Sequence, residues 1–146
     1  MTHKHPLHSN ATLLALDVGE RRIGVAIASV AARLARPLKT LERNDQTLEE
    51  VQNLVQSEQA IALIVGLPRN LSGQATAQTV AVEHFAAEVR QVVGIPLHWQ
   101  DEAVTSRQAE AELQARGKAY SKADIDALSA TYILEDFLRD HPEVRA

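Results

Sequence analysis

The chain has no cysteine, which removes disulfide frameworks, thiolate nucleophiles and cysteine zinc sites together and makes a reducing cytoplasm the expected compartment. Aromatic residues make up only 3% of the 146 positions. Stacking platforms for bases are therefore scarce, and any polymer substrate is expected to be read through backbone shape. No apolar stretch approaches the roughly 18 residues of a bilayer crossing, so no membrane partner is expected. A net charge of -4 lacks the basic excess of a general nucleic-acid binder, yet leaves room for a local basic patch. Serine chemistry finds no Gly-x-Ser-x-Gly elbow, and His84, His98 and His141 have no recognisable catalytic partner.

What is present fits one domain without internal repeats. Residues 1–11 read as a flexible tail, neither signal peptide nor anchor, whose His3, His5 and His8 lack a fold to fix a metal geometry. Residues 12–140 form the domain and 141–146 a second tail. Residues 12–17 read as a buried strand, 22–29 as its hairpin partner and 34–41 as a third strand, with Pro37 favouring an edge. Thr47 with Glu50 predicts a capping box opening a helix to about Glu58. Residues 60–65 are apolar throughout, as in a strand buried on both faces, and lead through a polar loop to a helix over 75–93. Residues 95–100 are the fifth strand, Thr105 with Gln108 caps a helix to Ala115, 116–121 read as a mobile loop, and 124–139 form the last helix. This order predicts an α/β fold with a mixed five-stranded sheet, antiparallel at first and then parallel, flanked by helices.

Three acids stand out. Asp17 ends the run Leu13, Leu14, Ala15, Leu16, placing a charge at the edge of a core, where it is costly unless paired. Asp126 lies within about 40° of Ala130, Ile133 and Phe137 on a helical wheel of about 100° per residue, so it sits on the apolar stripe. Asp124, Thr131 and Glu135 fall on the opposite side. Asp101 and Glu102 follow the fifth strand, and alternation along a strand of uncertain end does not separate them. An Asx turn at Asp17, a solvated loop acid at Glu102 and a first-turn acid at Asp126 are the structural alternatives. Three carboxylates about 5 Å apart would repel by roughly 3 kcal/mol per pair at an effective dielectric near 20. They would need a cation, and hard oxygen donors without cysteine favour Mg2+ or Mn2+. Such a centre suits phosphodiester hydrolysis.

Residues 17–26 (DVGERRIGVA), 64–73 (IVGLPRNLSG), 101–106 (DEAVTS) and 126–130 (DALSA) resemble, in order, the motifs of the bacterial YqgF (RuvX) family. The resemblance implies a ribonuclease-H-like fold related to the resolvase RuvC, and a nuclease trimming the 5′ end of the small-subunit ribosomal RNA precursor. Holliday-junction resolution is the older proposal for the family. It also implies Asp17, Glu102 and Asp126 as the metal-binding acids, choosing Glu102 over Asp101. The family commonly has arginine where this chain has Ala103, and Arg107, one helical turn on, is the candidate to replace it.

Arg21, Arg22, Arg107, Arg116, Lys118 and Lys122 are candidate phosphate contacts around the acids. Asn70 sits in a loop whose glycines would let backbone approach a sugar-phosphate chain, and Tyr120 is the aromatic expected to meet a base. The expected partner is structured RNA (pre-rRNA) or branched DNA, bound by a monomer or weak homodimer. A non-catalytic RNA-binding module of the same fold is the alternative in the binding class. Actin-like kinases share the Asp-x-Gly opening but need a second phosphate loop and a second domain.

Overall fold

A computed structural model describes residues 10–68, 74–102 and 105–145, without the side chains of 105 and 106. The elements run β1 (Thr12–Val18), β2 (Arg22–Ser29), β3 (Ala35–Glu42), α1 (Thr47–Ser57), β4 (Ala60–Pro68), α2 (Ala77–Val92), β5 (Leu97–Glu102), α3 (Thr105–Arg116) and α4 (Lys122–Asp140). The sheet order is β3-β2-β1-β4-β5. β1 pairs antiparallel with β2 and parallel with β4, β2 pairs antiparallel with β3, and β5 adds parallel to β4. This is the expected mixed sheet.

Strand alternation divides the core in two. Leu14, Leu16 and Val18 of β1 join Val25, Leu63 and Val65 beneath Val51 and Val55 of α1 and Val82, Phe85 and Val89 of α2. The other face carries Leu13, Ala15, Ala26, Ala28, Ala62 and Ile64, packed under Ala130, Ile133, Leu134 and Phe137 of α4. The small alanine side chains let α4 lie close to the sheet. Asp17, two residues beyond Ala15, belongs to this α4 face.

One helix start departs from expectation. Thr47 is not an N-cap: Gln46 holds that position without a side-chain cap bond, and Thr47 is buried in the first turn, its hydroxyl accepting from Asn44 N at 2.8 Å. The local loop bond wins over a capping box. Thr76 and Thr79 form the capping box of α2, and Ser121 with Asp124 that of α4. The side of α4 opposite the sheet is also not solvent throughout. Ala109 and Leu113 of α3 pack on Leu128 there, and Thr131 is buried with its hydroxyl donating to Ala127 O. Leu128 is thus the seat of α3. The side chain of Thr105, the expected cap of α3, lies outside the described residues.

No helix among the described residues is long and apolar enough to cross a membrane.

Candidate nuclease centre

The α4 face of the sheet brings the acids together. In β1 it is set by Leu13, Ala15 and then Asp17; in β5 by His98, whose ring meets Phe137 of α4, Gln100, which bonds Asp140 of α4 at 3.2 Å, and then Glu102. A period of two therefore turns Glu102 toward α4 and Asp101 away from it. The strand runs through Glu102, two residues further than the sequence pattern indicated, and that extension fixes the phase.

Asp17 and Glu102 meet through a side-chain hydrogen bond. Burial raises the Asp17 carboxyl well above the ordinary carboxylate range, and the charge of Glu102, their shared hydrogen bond and the charge of Asp126 raise it further. Glu102 and Asp126 thus both act on Asp17. Asp126, in the second turn of α4, is turned toward Arg22, whose Nε donates to Asp126 Oδ2 at 2.6 Å.

Two glycines make the approach possible. Gly24 is the β-ladder partner of Asp17, and a Cβ there would lie 2.0 Å from the backbone oxygen of Asp126. Gly66, in β4 between Asp17 and Glu102, leaves the space a Cβ would take from Glu102 Oε1 at 2.4 Å and Ile133 Cδ1 at 2.5 Å. Neither was singled out from sequence as a positioning residue. Glycine inside an otherwise apolar strand was the available signal. Arg43 was likewise missed: its Nη1 donates to Gly19 O at 3.0 Å and its guanidinium lies 4.8 Å over Phe85, bracing the turn that follows Asp17.

The basic candidates separate into groups. Arg22, Arg107 and Lys122 line one groove of about 480 Å3 with Asp126, Tyr120 and Glu110. Tyr120 forms part of its wall, held by Gln114 and Glu110 at 3.3 Å. Lys118 and Arg116 stand instead in a neighbouring hollow of about 250 Å3 beside Pro37 and Leu128, where Arg116 is bonded to Glu112. Arg21 is exposed in the turn between β1 and β2. Asn70 and Ala103 lie outside the described residues.

The donor set suits a hard divalent cation: three carboxylates, of which Asp17 is half-buried and faces the charges of the other two. Among the described residues, no three His, Cys, Asp or Glu side chains are already closed around a common point. Asp126 is instead engaged by Arg22.

A five-stranded mixed sheet of order 3-2-1-4-5 with α4 laid across it is the ribonuclease-H-like class of fold. Solved structures agree. Thermus thermophilus RuvC in complex with a Holliday junction substrate superposes with a TM-score of 0.58 at 16% identity, over 92% of this chain and 98% of that one. T. thermophilus RuvC in another structure gives 0.56 over the same shares. The chain belongs to the RuvX family, whose model, described as "RuvX: Holliday junction resolvase", matches residues 11–140. Among its relatives, a protein of Chloroflexus aurantiacus is 39% identical over 130 residues, covering 86% of this chain and 85% of its own. One of Synechocystis is 36% identical over 129 residues, with shares of 86% and 85%. Both carry the name "Putative pre-16S rRNA nuclease".

Proposed function

We propose that this chain is a divalent-metal-dependent endonuclease that hydrolyses phosphodiester bonds in structured nucleic acid, with 5′-end processing of pre-16S rRNA as its biological task. The observation that carries the reading is the state of Asp17: half-buried, bonded to Glu102, and facing the field of Asp126. A group so placed has a natural counter-charge in a cation and no role in the core. Asp17, Glu102 and Asp126 would hold Mg2+ or Mn2+. When bound, the ion would supply an activated water and charge stabilisation at the scissile phosphate.

The chain's own residues do the rest. Gly24 and Gly66 set the spacing of the acids. Arg107 and Lys122, on the groove wall beside Asp126, would take backbone phosphates and fix the register of the strand. Tyr120 offers its ring to an unpaired base. Few other aromatics are available, so shape and phosphate spacing select the substrate.

Junction cleavage is a second reading, favoured by the description of the matching family model. It calls for two centres related by a two-fold axis, whereas a monomer suffices for RNA trimming. A precursor 16S fragment and a four-way junction, each incubated with Mg2+, Mn2+ or chelator, separate the readings. Metal-dependent cutting of the RNA is expected, lost in Asp17→Asn, which keeps the fold and removes the charge. Full turnover in chelator, or undiminished turnover in Asp17→Asn, would overturn the proposal.

A further inference from the structure

Arg22 is the one cation in direct contact with the acidic centre among the described residues. It leaves β2 on the α4 face, the same face as Gly24 and Ala26, with its side chain 27% exposed and Asp126 22% exposed. Its Nε, rather than a terminal amine, bonds Asp126 Oδ2. Nε lies on the side of the guanidinium nearest the strand, so this contact alone leaves the fork's outer nitrogens uncommitted to Asp126. The guanidinium lines the groove that also holds Arg107 and Lys122. Glu42, its ladder partner on β3, contributes a second favourable charge.

Resting on the metal-dependent reading above, we propose that Arg22 is a positioning residue that occupies Asp126 in the metal-free protein and is displaced into the groove toward a backbone phosphate when a divalent cation takes up the carboxylate. The physical case is one of exchange. In the metal-free centre, the Arg22 guanidinium offsets part of the repulsion that Asp126 and Asp17 exert on each other. A divalent cation held by these acids would compete for the Asp126 carboxylate and would repel the guanidinium. Arg22 then has two nearby destinations, the Glu42 carboxylate and a phosphate between itself, Arg107 and Lys122. The planar fork of arginine suits the phosphate. Asp126 would thereby be held near its working position before metal arrives. Nucleic acid and metal would favour each other, because each takes one member of the ion pair.

The exchange makes an unusual demand: deleting a basic residue beside a metal site should leave the metal more tightly bound. Mn2+ affinity without nucleic acid, measured from the paramagnetic resonance signal of free Mn2+, should rise about two- to fivefold in Arg22→Gln and Arg22→Ala. Arg22→Lys, which keeps the charge and loses the fork, should stay near the parent. The gain in Mn2+ affinity on adding an uncleavable phosphorothioate strand should shrink in Arg22→Gln. Circular dichroism identifies any variant that fails to fold, and Arg22→Lys then carries the second measurement. Affinity unchanged or weaker in the folded neutral variants, or coupling to the strand undiminished in Arg22→Gln or Arg22→Lys, would overturn the inference. Absence of Mn2+ binding by the parent would instead overturn the metal-dependent reading itself.

Discussion

Asp17 pays for its position. Because the folded chain raises its carboxyl above the ordinary range through burial, Glu102 and Asp126, the native state keeps a proton that the unfolded chain has already released. The unfolded state then binds fewer protons, and stability falls as pH rises from the ordinary carboxylate value through the raised one. In chelator, the melting temperature is therefore expected to decline across that window, and Asp17→Asn is expected to flatten the decline. Thermal scans from acid to neutral pH with both proteins check this, an unaltered slope in the variant being the contrary result. Added Mg2+ should restore stability at the neutral end, since a cation removes the same repulsion. Arg22 already does so weakly from the groove side.

The elements that carry the acids are spaced by glycine, and the two glycines are not equivalent. At Gly24 an added methyl meets the carbonyl of Asp126, which is backbone, so α4 itself must move. Gly24→Ala is expected to cost about 3 kcal/mol and to abolish cleavage. At Gly66 the methyl meets the ends of the Glu102 and Ile133 side chains, which can rotate aside. Gly66→Ala is expected to cost only about 1 kcal/mol while lowering turnover sharply, because Glu102 is one of the groups displaced. Urea denaturation beside a cleavage assay distinguishes the two patterns. The sequence made much at this scale legible. The apolar runs marked the strands, and the stripe under Asp126 marked the inward face of α4. Less was legible where a local bond competes with a pattern, as at Thr47, whose hydroxyl serves the Asn44 loop. The Asp101 and Glu102 alternative could not be settled without the end of β5, since one residue of strand length reverses the face. The bond from Arg22 to Asp126 spans 104 positions, and nothing in local spacing marks it.

Across the whole molecule, α4 links the centre to the far end of the sheet. Its first turn is pinned by Thr40, whose hydroxyl donates to Ala123 O at 2.7 Å. At its last turn, Arg33 from the loop between β2 and β3 donates to Leu138 O at 2.6 Å, to His141 O at 3.3 Å and to Val144 O. Arg33 holds a positive φ of 56°, the left-handed region that disfavours side chains. Arg33→Ala loses the bonds and keeps the strain, whereas Arg33→Gly loses the bonds and relieves it. Both are expected to unfold more easily, Arg33→Ala by about 2 kcal/mol and Arg33→Gly by less. Turnover at low temperature should survive in each, because the clamp is remote from the acids. Chemical denaturation with a parallel cleavage assay tests both statements.

The alanines beneath α4 act as shims. Ala15, Ala26, Ala28 and Ala62 are almost fully enclosed between sheet and helix, so the gap between Asp126 and the acids of the sheet is gauged by single methyl groups. Enlarging one of them would jack the helix outward and widen the jaw without touching a carboxylate. For the cation proposed above, the ionic radius accepted would then be set by residues that never meet the ion, and a designer wishing to retune it would begin there.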